Sequence, residues 1–287
     1  MEAALSNLGR GEDMKLILLD LDNTLIDSGY NLNVPENKFR SLVQELADRN
    51  VCVGLCSDSA VITLRQWADR LGLTGPIIAE RGAVVWDPAL GTADIIDAPG
   101  TKWFSDFRAE FVRTIMSNFP EATIMIGDAT RFIKDRNAST TLAQQVFAVN
   151  GFRVASFSFF ACRPQKNQSG LEPDAELLEK AGAFATKLLV EFGKSKEDLF
   201  WDENPQCGIL IMHASTTEKW HGVSIMANRM VAEQTIMVGD SMSDFLNLPN
   251  VIQHAVGNAD SRYKQKSSFV AKGVLTEGVI ECLGQCM

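Results

Sequence analysis

A short apolar run, Leu16-Ile17-Leu18-Leu19, ends abruptly in Asp20-Leu21-Asp22-Asn23-Thr24. It reads as a buried strand that hands the chain to a loop at a pair of carboxylates. Similar strand-like runs stand at 14–20, 51–57 and 235–239, alternating with amphipathic helical stretches, and that alternation is the pattern of a parallel sheet in an α/β fold. In an open parallel sheet, ligands bind at the carboxyl ends of the strands, so an acidic pair there is placed for chemistry. If the strand continued, Asp20 and Asp22 would share one side of it, with Thr24 next in line. Like charges this close favour a bound cation or a shared proton. An ordinary turn accounts for the same residues, with Asp22, Asn23 and Thr24 merely ending the strand and capping the next segment.

The intervening stretches have helical periodicity. Residues 36–49 place Phe39, Leu42, Val43 and Leu46 on one face, and 60–71 repeat the pattern with Val61, Leu64, Trp67, Ala68 and Leu71 before Gly72 as a C-cap. From about 88 to 205 the texture changes. Asp87-Pro88, Ala98-Pro99-Gly100 and Arg163-Pro164 mark turns, strands are expected at 122–127 and 152–161, and a helix at 174–192. The expected organisation is therefore a flexible N-terminus over 1–13, a core domain from 14–87 and 206–287, and an α+β domain inserted at 88–205. A chain of 287 residues accommodates two moderate domains.

A formal net charge of −9 and a pI near 4.9 exclude a basic nucleic-acid-binding face. No apolar stretch is long enough to span a membrane, and the first residues lack a signal-peptide pattern, so the expectation is a soluble cytoplasmic protein, monomer or homodimer. Six cysteines are too sparse for a disulfide framework and are expected to be reduced. His213, His221 and His254 lie outside metal-ligand spacing, which argues against zinc. Gly193-Lys194-Ser195 ends like a phosphate-binding loop, but the position of its first glycine is Leu188. Gly127-Asp128 imitates a strand-end acid and reads as a turn.

Three further places carry candidate chemistry. Ser57 ends the run 51–56 just ahead of a helix, where a hydroxyl and free N–H groups form an anion site; taken alone, a serine here, Ser57 or Ser59, is more often an N-cap. Lys219 comes after Ser215 and Glu218, which have capping-box spacing, and stands in a first helical turn, where a cation adds to the positive dipole end. An exposed lysine is the ordinary alternative. Ile236-Met237-Val238-Gly239-Asp240 is another strand ending in an acid, with Ser243 and Asp244 just beyond; Asp244 also fits a helix cap.

In chain order, Asp20/Asp22, Ser57, Lys219 and Asp240/Asp244 resemble the four motifs of the haloacid dehalogenase superfamily. The segments Ile78–Ala83 and Ala255–Ala259 resemble those of its Cof-type, sugar-phosphatase branch. The resemblance implies a Rossmann-like core with an inserted C2-type cap, and a Mg²⁺-dependent phosphomonoester hydrolase acting on a small phosphorylated metabolite such as a sugar phosphate. By the same resemblance Asp20 is the nucleophile and Asp22 the general acid/base, while Ser57 and Lys219 hold the phosphoryl oxygens. Mg²⁺ takes Asp20, Asp240 and the Asp22 main-chain carbonyl, with Thr24, Ser243 and Asp244 supporting. A phosphosugar mutase and a catalytically silent phosphate-binding protein are the alternatives. Ser243, Asp58 and Arg81 depart from the pattern, standing where the branch usually has asparagine, glycine and asparagine.

Overall fold

The computed structural model describes residues 14–134, 144–165 and 170–287; the expected flexible N-terminus over 1–13 lies outside them. The chain forms two compact units, one from the residues up to Ile96 together with Glu218–Met287, the other from Asp97–Thr217. The first unit opens with β1 (Lys15–Leu19), α1 (Glu36–Ala47), β2 (Val51–Cys56), α2 (Val61–Leu71), β3 (Ile77–Ala79), β4 (Val84–Asp87) and β5 (Thr92–Ile95). The second unit carries α3 (Ala98–Thr101), α4 (Trp103–Asn118), β6 (Thr123–Gly127), α5 (Ala129–Lys134), β7 (Val146–Asn150) and β8 (Ser156–Pro164). It ends with β9 (Leu171–Pro173), α6 (Ala175–Glu191), β10 (Leu199–Asn204) and β11 (Ile209–Ala214). The chain then returns to the first unit with α7 (Lys219–Met230), β12 (Gln234–Gly239), β13 (Val251–Ala255), α8 (Ser261–Lys266), β14 (Phe269–Val270) and α9 (Leu275–Gly284).

Among the described residues the first unit's sheet runs β14-β13-β12-β1-β2-β3-β4-β5. It is parallel from β14 through β3 and antiparallel at β4 and β5. Leu16 through Leu19 are fully buried, as a central parallel strand covered on both faces requires, and this is why the run is continuous rather than alternating. α1 buries Phe39, Val43 and Leu46 and α2 buries Leu64, Trp67, Ala68 and Leu71. Each large apolar side chain so buried contributes about 1.5–3 kcal/mol. Gly72 ends α2 at φ 70, the left-handed C-cap expected there.

The second unit has a sheet in the order β10-β11-β8-β7-β6, with β9 on β8. α4 and α6 cover one face of it, joining Phe104, Phe107, Phe111 and Leu178 to Phe157 and Phe159 of the sheet. Asp174 caps α6 by accepting the Leu177 amide at 3.0 Å. Asp128 likewise accepts the Arg131 amide at 2.9 Å at the start of α5, so the imitation acid is a cap.

The unit boundaries fall later than the expected 87/88 and 205/206. β5 pairs antiparallel with β4, and the Ile96 amide donates to Ala83, carrying the first unit to Ile96. Ile209–Ala214 has the apolar texture of a core strand, yet it pairs antiparallel with β8 and β10 of the second unit. Local texture does not reveal which sheet a buried strand joins. The strand expected at 152–161 begins at Ser156, because the Asn150 side chain accepts the Phe152 amide at 3.0 Å and turns the chain first.

Candidate active site

β1 lies between β12 and β2 with Leu19 level with Val238 on one side and Leu55 on the other. Adjacent strands are about 4.8 Å apart, so the residues just beyond the three strand ends, Asp20, Ser57 and Asp240, emerge along one edge. The Asp20 amide still donates to Val238 at 2.9 Å, pinning its carboxylate there. The chain then leaves the sheet: Asn23 adopts φ 60, and the Leu25 and Ile26 amides both donate to the Leu21 carbonyl. The strand thus hands the chain to a loop at the carboxylates, as expected, and does not continue far enough to put Asp20 and Asp22 on a common side. A tight turn, closed by a bridge between Asp22 and Ile26, holds Asp22 instead. Asp22 Oδ2 accepts the Ser59 hydroxyl at 3.3 Å.

Lys219 opens α7 with 4% of its surface exposed. Its Nζ donates to Asp20 Oδ1 at 2.9 Å and to Asp244 Oδ1 at 2.6 Å. The second oxygen of Asp244 accepts the amides of Asp240 at 3.0 Å and Ser241 at 3.1 Å, so Asp244 both shapes the 240–244 turn and orients the lysine. Gly239 makes this possible, since a Cβ there would lie 2.5 Å from Asp244 Cβ. Thr24, fully buried, donates to Asp240 Oδ1 at 3.2 Å. Ser243 bonds the Ser241 hydroxyl at 2.8 Å. The capping box of α7 is formed by Glu218 with His221, not by Ser215 with Glu218, because the helix begins at Lys219.

Ser57 is buried; its amide donates to Ile78 at 2.9 Å and its Oγ accepts the Ser59 amide at 3.2 Å. Neither serine caps α2, whose N-cap is Ala60 with no side-chain cap. The uncapped helix start leaves the positive dipole end beside Ser57 for an anion. Behind it, Glu80, Arg81 and Gly82 take φ 50, 60 and 85 in succession. For the two residues with a Cβ this conformation costs roughly 1–2 kcal/mol each. Packing holds the turn: the Glu80 amide donates to Ser59 at 3.1 Å, and a Cβ on Gly82 would lie 2.1 Å from the Glu218 carbonyl. The turn therefore presses on the start of α7 and fixes Lys219.

Burial and the Asp244 charge push the Asp20 carboxyl well above the usual carboxylate range, with Lys219 opposing. Burial pulls Lys219 the other way, but the Asp20, Asp244 and Asp58 carboxylates outweigh it and hold its ammonium above the ordinary value. Burial and Asp244 raise Asp240 to about 6, against the Thr24 hydrogen bond. A buried set with more carboxylates than cations retains protons, or takes a further cation in their place.

Carboxylate oxygens of Asp20, Asp240 and Asp244 all lie within 4.8 Å of one another. Asp244 has both oxygens engaged, whereas the hydrogen bonds to Asp20 and Asp240 from described side chains use only Oδ1 of each. An oxygen of each thus stays available to a cation. An all-oxygen donor set suits a hard divalent ion such as Mg²⁺. The Asp22 carboxylate is not in the triangle.

Sequence reading gave no role to two residues that brace this edge. Asn258 donates to the Asn23 carbonyl at 2.6 Å and accepts the Leu275 amide at 2.9 Å, tying the turn after Asp22 to α9. Asp260 caps α8 and accepts the Met242 amide at 3.2 Å. The Asp260-Ser261 cap signature was the available clue to the second, and Asn258 falls in the Ala255–Ala259 segment already noted for its resemblance, which gave it no role.

The sequence profile of the haloacid dehalogenase-like hydrolase family matches residues 17–148. Over that stretch, which includes Asp20, Asp22 and Ser57, the chain is similar to the haloacid dehalogenase-like hydrolases. Solved structures share its architecture. A haloacid dehalogenase-like hydrolase from Bacteroides thetaiotaomicron superposes with a TM-score of 0.65 at 17% identity, over 96% of this chain and 100% of that one. A HAD/COF-like hydrolase from Plasmodium vivax gives 0.58 at 15%, over 96% of each chain. At these identities the likeness is one of fold. A stretch of 75 residues is 32% identical to the 5-amino-6-(5-phospho-D-ribitylamino)uracil phosphatase YcsE of Bacillus subtilis, covering 26% of this chain and 29% of that protein. The match thus spans under a third of that relative's length. Among the described residues no helix is long and apolar enough to cross a membrane.

Proposed function

We propose that this protein is a Mg²⁺-dependent phosphomonoester hydrolase acting on a small phosphorylated metabolite of the sugar-phosphate class through an aspartyl-phosphate intermediate. The observation that carries the reading is Lys219 Nζ, buried between Asp20 at 2.9 Å and Asp244 at 2.6 Å at the carboxyl ends of parallel strands. Phosphoryl transfer asks chiefly for positioning and charge neutralisation, and this arrangement offers both.

Asp20 attacks phosphorus, forming a carboxylate–phosphorus bond as the ester P–O bond breaks. Asp22, oriented by Ser59, gives its proton to the leaving oxygen; it then takes a proton from the water that cleaves the aspartyl phosphate, releasing inorganic phosphate and restoring both acids. Ser57 and Lys219 hold the phosphoryl oxygens, and Lys219 keeps the Asp20 carboxylate from repelling them. Asp20, Asp240 and the Asp22 carbonyl would hold Mg²⁺, which when bound neutralises phosphoryl charge. Asp244 and Thr24 orient Lys219 and Asp240. The distant phosphatase relative supports the reaction class. The test is phosphate release from para-nitrophenyl phosphate and a panel of sugar phosphates, with Mg²⁺ and with EDTA. Turnover that is indifferent to EDTA, or no turnover of any phosphomonoester with Mg²⁺, rejects the proposal.

A further inference from the structure

Asp20 is pinned by its own amide, which donates to Val238 along the sheet ladder. Asp22 lies beyond the end of β1 at Leu19, so its direction depends on how the turn 21–26 is fixed. One fastening of that turn comes from two strands away. In the sheet β13 neighbours β12, and β12 neighbours β1; with strands about 4.8 Å apart, the ends of β13 and β1 are separated by about 10 Å. The loop 256–260 that leaves β13 crosses the end of β12 to cover that distance. It is fastened there at both ends, by the Val256 amide on the Gly239 carbonyl at 3.2 Å and the Asp260 amide on the Asp240 carbonyl at 2.7 Å. Asn258, at the middle of the loop, donates from Nδ2 to the Asn23 carbonyl at 2.6 Å.

The orientation of this side-chain amide is forced, because the Asn23 carbonyl only accepts and the Leu275 amide, taken by Asn258 Oδ1 at 2.9 Å, only donates. Both partners stand on left-handed backbone, Asn23 at φ 60 and Leu275 at φ 52, and for leucine that conformation is unfavourable. Asn258 itself is exposed, so water competes for its hydrogen bonds and they add little to the stability of the fold. Other ties already dock α9 against this region: buried Thr276 donates to the Leu25 carbonyl at 2.6 Å, and Asn33 donates to the Val274 carbonyl at 2.9 Å and accepts the Glu277 amide at 3.1 Å. What Asn258 adds is position. It grips the peptide between Asn23 and Thr24, directly after Asp22, from a loop that is itself bonded to Asp240. The two acidic turns are thereby set against each other, and strained backbone kept at a site edge points to a functional constraint.

We infer that Asn258 is a positioning residue that aims Asp22 at the leaving oxygen by fixing the Asn23 carbonyl relative to Asp240, a role that rests on the phosphatase reading and deepens it.

Asn258→Ala, Asn258→Asp and Asn33→Ala are compared with the full-length wild type, and Asn258→Ala also in an Asp22→Asn background. Turnover is followed for phenyl phosphate, with a poor leaving group, and for para-nitrophenyl phosphate, with a good one; Mg²⁺ binding is measured by calorimetry. Asn258→Ala should lower kcat for phenyl phosphate about tenfold with KM within about twofold, and should lower it less for para-nitrophenyl phosphate, which needs less proton donation. Asn258→Asp keeps the acceptor for the Leu275 amide and removes the donor to Asn23, so it should lose at least as much; it carries the test if melting curves show that Asn258→Ala does not fold. Asn33→Ala breaks two bonds to α9 and should leave kcat within about twofold, which separates positioning from docking of the helix. In the Asp22→Asn background Asn258→Ala should cost less than about twofold, because the group it aims is gone. Mg²⁺ binding should weaken about tenfold in the Asn258 variants, as the Asp22 carbonyl moves with the turn, and hold in Asn33→Ala. Equal losses in both backgrounds, equal losses for both leaving groups, or a loss in Asn33→Ala as large as in Asn258→Ala overturns the inference, as do Asn258 variants that match the wild type in kcat and Mg²⁺ binding. Should the wild type hydrolyse neither ester, the phosphatase reading fails, while the Mg²⁺ arm still decides whether Asn258 sets the turn.

Discussion

In the second unit, the rings of Phe107, Phe111, Phe157 and Phe159 meet at centroid distances of 4.7 to 6.5 Å. At the strand edge of the first unit, comparable burial is given to Lys219, Asp20 and Asp244. The first arrangement stabilises through burial itself, with each aromatic pair adding about 0.5–1.5 kcal/mol. The second takes charges out of water, and a buried ion pair returns that penalty only partly. The left-handed backbone at Asn23, Glu80 and Arg81 flanks the same edge. The difference teaches that the aromatic core explains itself as stability, whereas the charged edge makes sense only through what it binds.

The sharpest way to break this comparison is Asp20→Asn. It keeps the shape and removes the proposed nucleophile and proposed cation ligand, so activity should fall by at least about 10³-fold. Because burial already disfavours the ionised Asp20 carboxyl, the amide should leave the melting temperature unchanged or raise it. Phosphate release and a melting curve check the two halves; ordinary turnover in folded protein would make the charged edge merely structural. Asp22→Asn should come next with a loss of about 10²–10⁴-fold for poor leaving groups, partly relieved for para-nitrophenol. Equal losses for good and poor leaving groups would remove Asp22 from proton transfer.

How much of this contrast was legible in the sequence depends on the reach of each signal. The period of Phe39, Val43 and Leu46 and the continuous run Leu16–Leu19 report burial directly, so the core elements could be read. The strand-end positions of Asp20, Ser57 and Asp240 could be read from where those runs stop. What stayed hidden was set by long-range pairing. Ile209–Ala214 looks like a core strand but joins the other sheet, and Asn258 reaches Asn23 across the fold. Asp58 and Arg81 were visible as oddities, yet only three-dimensional structure shows that they meet.

A matched pair of substitutions sharpens the comparison at the level of stability. Phe111→Ala opens the aromatic cluster and should cost about 3–5 kcal/mol. Lys219→Met leaves Asp20 and Asp244 buried without their cation and should cost a similar 3–5 kcal/mol. The second loss should be restored in good part by lowering the pH, which protonates the orphaned carboxylates, and the first should not. Urea unfolding at pH 7.5 and pH 5, tracking each unit's own transition, tests this.

Proton and cation should compete at Asp240. Its carboxyl is raised from the ordinary 3.8 to about 6, so in metal-free protein its contribution to stability is fully present below about pH 4 and is lost as the pH rises through about 6. Added Mg²⁺ should therefore raise the melting temperature more at pH 7.5 than at pH 5. The Mg²⁺ concentration for half-activation should rise about tenfold at pH 5, one unit below that value. A flat Mg²⁺ requirement across this range would take Asp240 out of the cation site.

The smallest expected effect is at Ser59, where the charged edge shades into ordinary hydrogen bonding. Its hydroxyl donates to Asp22 Oδ2 at 3.3 Å, a long contact to a half-buried group, so Ser59→Ala should cost about 0.5–1.5 kcal/mol. If Ser59 acts only through Asp22, the variant should lose a few-fold in kcat for poor leaving groups with inorganic phosphate affinity unchanged. In an Asp22→Asn background it should lose much less, because the carboxylate it orients is gone. An equal loss in both backgrounds would place Ser59 with the phosphate loop around Ser57, whose Oγ accepts its amide, and would move the border between charged edge and scaffold one residue closer to the nucleophile.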